Sequence, residues 1–267
     1  MDTEESINTF GIWSMVADGN IEAVKYFVEK KGGKDWKSDE GKSLVYLAAM
    51  ADKTDIIEYL AKQGADLDAR DNRNTSPMDL AVLNDKIEII KCLARHGADV
   101  NTRDNNGMTP IFHAAIQGKT KIIDCLVELR AKVDAKNNKG LTPMYSAAQA
   151  GQVETIKCLA KHGADVHASD DIGITPIFAA AGAIRNNEEA IRCLYELDPT
   201  VIKAKDTSGM TPIFAAVLEE KLESVKCLVT LGVDVNIKAR GWTALSLAEE
   251  EVGNREIAKY LRDHGAQ

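Results

Sequence analysis

Five cysteines are the residues of this chain best suited to chemistry, because a thiolate can act as a nucleophile, a metal ligand or half of a disulfide. Each is followed by Leu, and together they form what we call the cysteine column: Cys92, Cys125, Cys158, Cys193 and Cys227. Equivalent positions in stacked helices lie roughly 8–10 Å apart. A disulfide needs Cα atoms within about 7 Å, and zinc needs each sulfur at about 2.3 Å. Neighbouring members of the column meet neither condition.

The sequence instead favours a packing role for these thiols, as small buried hydrophobes beside their Leu neighbours. A redox-sensitive thiol is the alternative. An odd number of unpaired cysteines also indicates a reducing compartment, which predicts a cytoplasmic protein and leaves the nucleus open.

Three histidines form a second column, and each stands directly before a glycine: His96, His162 and His264. A donor at this place helps to satisfy the last carbonyl groups of a helix, and that role is predicted for all three. Metal ligation is not expected, because whole repeats separate them. There is no Gly-rich phosphate loop, and the acidic run 249–251 is typical of a solvated turn. The sequence therefore predicts no catalytic, cofactor-binding or metal site; enzyme activity is kept as an alternative that turnover would reveal.

The elements that carry these columns repeat along the chain. The tetrapeptide Thr-Pro-Ile-Phe, or a near copy, begins at Thr109, Thr142, Thr175 and Thr211, in steps of 33, 33 and 36 residues. Self-similarity at this period is typical of stacked supersecondary units. Eight units are predicted, at residues 5–37, 38–70, 71–103, 104–136, 137–169, 170–205, 206–237 and 238–267.

Each part of the unit has a predicted structural role. A glycine near the start supplies a positive φ for a tight turn, and Asn74 replaces it in the third unit. Thr-Pro begins a first helix, with Thr as the cap and Pro at the first helical position. A second helix follows, and Gly-Ala-Asp-Val ends it.

This pattern resembles the ankyrin repeat, a 33-residue helix–turn–helix with a β-turn and a Thr-Pro-Leu-His-x-Ala motif. Where the family usually has His, the chain has a mostly aromatic column: Trp13, Tyr46, Asp79, Phe112, Tyr145, Phe178, Phe214 and Ser246. These rings are predicted to fill the seam between units; a stacking platform for bases or sugars is the alternative. The resemblance implies an all-α ankyrin-repeat solenoid. It covers residues 5–267, and the degenerate first and last units act as caps.

The composition indicates which functions are not expected of this chain. The net charge is −8, and no unit carries the dense Lys/Arg face that nucleic-acid binding needs. No apolar run has membrane-spanning length, and the acidic N-terminus has no signal-peptide pattern. We expect one domain over residues 1–267, monomeric by itself, with no nucleic-acid partner and no membrane insertion.

The resemblance also implies where a protein partner would bind, since the family uses its turn tips and the exposed face of each first helix. The turn column comprises Lys42, Met108, Leu141, Ile174, Met210 and Trp242. The helix-end column comprises Met50, Leu83, Ile116, Gln149 and Leu218. His113 and Gln117 belong to the same predicted face; for His113, an ordinary surface residue without a partner contact is the alternative. For the turn column, packing between neighbouring turns is the alternative to partner contact.

Two further features are open. The sixth unit holds three extra residues, two around residues 182–187 and one at 198–200, which are a candidate binding loop or neutral variation. Asn101 and Asn236 lie in a context similar to that of hydroxylated asparagines in ankyrin repeats.

The predicted function is a non-catalytic adaptor or scaffold that binds a protein on its concave face. The alternatives are a structural subunit of a cytoskeletal or other large assembly, and a secreted effector acting inside another cell.

Overall fold

The computed structural model describes residues 9–184 and 187–267. Residues 5–8 of the first predicted repeat, and Arg185 and Asn186 of the predicted insertion, lie outside the described residues. The chain divides into two compact units. Unit 1 holds residues up to 113 together with 125–131, and unit 2 holds 114–124 and 132–267. The single domain over residues 1–267 stays a prediction.

The described residues form sixteen α-helices and no sheet, which confirms the all-α prediction. Unit 1 contains α1 (Thr9–Ala17), α2 (Ile21–Lys31), α3 (Leu44–Met50), α4 (Thr54–Lys62), α5 (Pro77–Leu83) and α6 (Ile87–Arg95). Residues of both units occur in α7 (Pro110–Ile116) and α8 (Thr120–Glu128). Unit 2 contains α9 (Pro143–Gln149), α10 (Val153–Lys161), α11 (Pro176–Ala181), α12 (Glu188–Leu197), α13 (Pro212–Leu218), α14 (Leu222–Thr230), α15 (Ala244–Ser246) and α16 (Arg255–Asp263). Short 3₁₀ turns cover Gly33–Asp35 and Pro199–Lys203, and a π-helical turn covers Leu247–Glu251.

Helices pack in two rows within each unit. In unit 1 the first helices α3 and α5 are in contact, as are the second helices α4 and α6. In unit 2, α9, α11 and α13 form one row, and α10, α12 and α14 the other. The core of the second row includes the Leu that follows the Cys or Tyr column, and each of these is fully buried: Leu60, Leu93, Leu126, Leu159, Leu194, Leu228 and Leu261. Each contributes on the order of 2 kcal/mol through burial.

The turns have the predicted backbone. φ is positive at Gly107, Gly140, Gly173 and Gly209, and Asn74 has φ 62°. A side-chain oxygen closes each turn: Asp104 Oδ1 accepts the backbone N–H groups of Asn106 (2.9 Å) and Met108 (2.8 Å). Asp170 and Asp206 do the same in unit 2. The acidic or amide residue at the start of a repeat is therefore part of the turn itself.

The predicted Thr cap is only partly right. Thr142 Oγ1 accepts the N–H of Tyr145 at 3.3 Å. The hydroxyls of Thr175 and Thr211 are buried and have no hydrogen-bond partner among the described residues, and the same holds for Thr109. Their first turns are tightened instead, because the N–H three residues on bonds to the Thr carbonyl, as from Phe178 at 3.0 Å.

Asp79 departs from the aromatic column for a local reason. It is 2% exposed, and its Oδ2 accepts the N–H (3.1 Å) and hydroxyl (2.8 Å) of Ser76 in a capping box. Arg70 Nη1 donates to the same oxygen at 3.0 Å, while Arg70 Nη2 donates to Thr102 in the next repeat at 2.7 Å. A charged cap at this position thus joins one repeat to the next.

Polar side chains at the end of one repeat also bond to the next repeat. Asp68 in unit 1 accepts the N–H of Asp99 at 3.2 Å, and Asp134 in unit 2 accepts that of Asp165 at 3.2 Å. Burial raises the pKa of both carboxyls, and this hydrogen bond partly opposes the shift. Asn236 continues the pattern with Gln267 at 2.8 Å.

Candidate functional site

The helix-end column is exposed throughout. Each member is the last residue of a first helix, and the four apolar members are 38–45% exposed: Met50, Leu83, Ile116 and Leu218. Gln149 ends α9 and is also exposed. These side chains come after the last buried turn of their helices, so they lie outside the core.

The turn column is half-buried in both units. Met108, Leu141, Ile174, Met210 and Trp242 all have intermediate exposure. The side-chain oxygen that closes each turn holds the backbone of these residues in place, as Asn137 Oδ1 does for the N–H of Leu141 at 3.1 Å. Intermediate exposure fits packing and partner contact alike, so both interpretations of this column stay open.

His113 pairs with a turn residue in unit 1. Its Nε2 lies 3.6 Å from Asp104 Oδ2, and its side chain is 20% exposed. Both residues line a cleft of about 150 Å³ that also includes Leu83 and Arg73. Gln117, beyond the end of α7, is exposed. A second cleft in unit 1, of about 360 Å³, brings Trp13, Lys42 and Leu47 together with Met50.

The aromatic column is largely buried, as its predicted role in the seam requires. Phe112 and Phe214 are fully buried, and Tyr46 is 6% exposed. Burial, and then the negative charge of Asp71, raises the pKa of Tyr46 to about 12. The hydroxyl is therefore neutral at any physiological pH.

Several exposed apolar residues were not predicted. Ile172 is 58% exposed, Ile184 is 92% exposed, and Tyr26 on α2 is 57% exposed. Ile172 stands at a turn tip where other repeats have polar residues such as Asn106, Lys139 and Ser208. An apolar residue in a polar column is the signal that identifies it. Ile184 belongs to the sixth-repeat insertion.

The cysteines are all free, and four of the five are buried. Cys158 is half-buried, and burial followed by the charge of Asp124 raises the pKa of its thiol to about 11. Burial also raises the pKa of the other four thiols. Protonated thiols are weak nucleophiles, which favours the packing role.

The predicted role of the histidines is confirmed for one of three. His264 Nδ1 lies 2.8 Å from the carbonyl oxygen of Tyr260. His162 and His96 instead direct Nε2 toward a carboxylate of the preceding repeat: Asp124 at 2.6 Å and Glu58 at 4.0 Å. A carboxylate is a more favourable hydrogen-bond partner for an imidazole than a helix carbonyl is.

The family model for ankyrin repeats, in three copies, matches residues 12–104, 93–170 and 177–267. The chain belongs to the ankyrin-repeat family. Ankyrin repeats are generic protein–protein interaction modules and are typically non-catalytic. The departures at the family's usual His thus lie within a repeat array that spans nearly the whole chain.

This ankyrin-repeat chain is also similar to part of a serine/threonine-protein kinase, VIK, from Arabidopsis thaliana. The two are 37% identical over 84 residues, which is 31% of this chain and 19% of the kinase. The match thus spans about a fifth of the kinase's length. Among the described residues, no helix is long and apolar enough to cross a membrane.

Proposed function

We propose that this chain is an adaptor or scaffold without catalysis of its own, and that it holds a protein partner on the helix-end column and the adjoining turns. The observation that supports this is the recurrence of exposed apolar side chains at one position of the repeat. In unit 1 these are Met50 and Leu83, and in unit 2 they are Ile116 and Leu218.

Recurrence is what distinguishes this column from ordinary surface residues. Single exposed apolar side chains are normal on soluble proteins, whereas a set of them rimmed by polar groups is typical of an interface. The rim here consists of the turn tips, such as Asn105, Asn106 and Lys139, which are all exposed. Burying one such side chain under a partner contributes about 1–2 kcal/mol.

Preorganisation supports the same proposal. Helix caps and side-chain-closed turns fix the backbone before a partner arrives, so little ordering entropy opposes binding. We also propose that the free chain is a monomer, that it acts in the reducing cytoplasm where its five cysteines form no disulfide, and that nucleic acid is not its partner.

Affinity purification from the native cell tests this function. We expect the intact chain to capture a protein that at least one of two double variants no longer captures. The variants are Met50→Glu/Leu83→Glu and Ile116→Glu/Leu218→Glu. Tyr26→Glu is the control, because Tyr26 is also a large exposed side chain, 57% exposed, but lies on a second helix. Circular dichroism establishes that all variants are equally folded.

The other outcomes are informative. If both double variants keep the captured protein and Tyr26→Glu loses it, the second helices carry the interface and the proposed face is wrong. Co-sedimentation of the intact chain with a polymer favours a structural subunit, and capture of host proteins only from a foreign cell favours an effector. Turnover of a substrate by the purified chain would exclude a purely non-catalytic role.

A further inference from the structure

A thiol, an imidazole and a carboxylate, all from residues of unit 2, converge at one place. Asp124 Oδ1 lies 2.6 Å from His162 Nε2 and 3.6 Å from Cys158 Sγ. Cys158 and His162 are one helical turn apart in and just after α10, so both point to the same side. The three ligand atoms lie within 4.8 Å of one another.

The same arrangement occurs in unit 1. Glu58 on α4 faces Cys92 and His96 of the following repeat, and these ligand atoms also lie within 4.8 Å of one another. His96 Nε2 is buried, has no hydrogen bond among the described residues, and is 4.0 Å from Glu58 Oε1. A buried ring nitrogen that has no hydrogen bond and lies beside a thiol and a carboxylate requires a physical explanation.

In the sequence, a carboxylate occurs at this position only in the two repeats that precede a Cys–His pair. The residue before the Cys or Tyr column is acidic at Glu58 and Asp124 and basic in the other six repeats: Lys25, Lys91, Lys157, Arg192, Lys226 and Lys259. Those two repeats directly precede the two that carry Cys and His four residues apart. At the other three cysteines the His position is Leu129, Leu197 or Leu231.

We propose that Glu58–Cys92–His96 and Asp124–Cys158–His162 are two Zn²⁺ sites, each of which links the second helices of successive repeats. This inference is independent of the proposed function. Each site offers one carboxylate, one thiolate and one imidazole, and a fourth position is left for water.

The donor set and the spacing fit zinc. Tetrahedral Zn²⁺ places sulfur roughly 3.6 Å from a nitrogen or oxygen ligand, and nitrogen roughly 3.4 Å from oxygen. The Cys158–Asp124 distance already has this value, and His162 has to move less than about 1 Å away from Asp124. Thiolate and imidazole favour zinc over magnesium or calcium, which prefer oxygen ligands.

Binding moves protons in a defined way. The cysteine sulfur loses its proton to solvent as the Zn–S bond forms, and the imidazole binds through Nε2 while its remaining proton stays on Nδ1. Two basic side chains lie near the sites, Arg95 by Cys92 and Lys161 by Cys158 and Asp124. Both are exposed and can turn toward solvent when the metal enters.

A plain ion pair is the competing explanation for the geometry that the two clusters share. It accounts for His162 and Asp124, and it leaves each thiol to packing and a hydrogen bond to a backbone carbonyl, of Thr54 for Cys92 (3.7 Å) and of Thr120 for Cys158 (3.9 Å). It also leaves His96 Nε2 without a hydrogen bond among the described residues. The metal uses all three groups at both places.

Cobalt substitution tests the proposal on the full-length chain, reduced and stripped with a chelator. Titration with Co²⁺ should give thiolate-to-metal charge transfer and intense tetrahedral d–d bands that saturate at two equivalents per chain, and Zn²⁺ should abolish them. Cys92→Ala and Cys158→Ala should each remove one equivalent. Cys227→Ala is the matched control, since Cys227 has the same place in the repeat and is as buried as Cys92, but has Leu231 in the His position.

Two further variants keep the test decisive if an alanine variant unfolds. Glu58→Gln and Asp124→Asn retain both thiol and imidazole, and each should weaken one site by more than about tenfold, at least the effect of losing an outer-shell partner. The proposal is overturned if no charge-transfer band develops, if Cys227→Ala loses as much metal as Cys158→Ala, or if the two carboxylate variants bind like the intact chain.

Discussion

At the scale of single residues, Asp79 is a buried charge in a column that is mostly aromatic elsewhere. We expect Arg70→Ala to lower the free energy of unfolding by about 3 kcal/mol, because it removes one partner of a buried ion pair and leaves the other uncompensated. Urea denaturation of the two proteins gives this difference directly.

Lys86→Ala is the matched control for that substitution. Lys86 pairs with Asp52 of the preceding repeat, but both side chains are more than a third exposed. Exposed pairs contribute about 0–1 kcal/mol. Equal losses for Arg70→Ala and Lys86→Ala would show that burial of Asp79 does not matter.

Asp198 is a surface residue whose carboxyl pKa is shifted far below its ordinary value. The hydrogen bond from His167, followed by those from Thr200, lowers the pKa of its carboxyl to about 2. A pKa below the unfolded value means that the stabilisation is present above about pH 4 and is lost as the pH falls toward about 2. In a carboxyl NMR titration, His167→Ala should raise the midpoint toward the ordinary value; an unchanged midpoint would refute this assignment.

At the scale of elements, the first helices begin in two ways, with or without a threonine hydroxyl that caps the helix. Thr142→Val removes a hydroxyl that caps α9 and should cost about 1 kcal/mol. Thr175→Val replaces a buried hydroxyl that has no partner and should be neutral or stabilising. Thermal unfolding of the two variants in parallel tests this, and a greater loss for Thr175→Val would contradict it.

Turn glycines differ in what surrounds them. A Cβ on Gly173 would lie 2.8 Å from the Cα of Asp206, whereas one on Gly97 would meet nothing within 4 Å. Both glycines have positive φ, which alone costs an alanine about 1–2 kcal/mol. Gly173→Ala should therefore destabilise clearly more than Gly97→Ala in chemical denaturation. Similar losses would mean that the neighbouring turn yields at little cost.

The periodicity of the sequence was sufficient to predict the helices and turns, because the same residue pattern recurs in each repeat. It did not predict which Thr hydroxyl caps its helix, since that depends on how tightly the first turn closes. The exposed helix ends were predicted from the family resemblance, whereas the exposure of Ile172 was not predicted, because it lies at the turn tip, two residues before the turn column.

The thiol–imidazole–carboxylate clusters were missed for a geometric reason. Comparing equivalent positions in successive repeats places Cys far from Cys and His far from His. The convergence arises from two different offsets: one turn along α10, from Cys158 to His162, and one repeat back, to Asp124. The cluster therefore joins residues of different columns from neighbouring repeats.

At the scale of the whole molecule, charge limits the partners. The chain carries a net charge of −8, and its basic residues are spread over many repeats. We expect no salt-dependent binding of a fluorescent DNA duplex or RNA hairpin in anisotropy titrations at physiological ionic strength, because few phosphates could be neutralised together. Affinity that falls steeply with added salt would overturn this expectation.

The hydrogen bonds from Asp68 to Asp99 and from Asp134 to Asp165 have a consequence for how such a gene can lengthen. The acceptor side chain belongs to one repeat, and the donor is the backbone N–H of a residue two positions earlier in the following repeat. A repeat with Asp at the acceptor position therefore carries both halves of the contact. A tandem duplication therefore creates a new junction that is already complementary, with no second mutation required. Because a duplicated repeat brings its own inter-repeat hydrogen bond, the number of repeats can change easily during evolution.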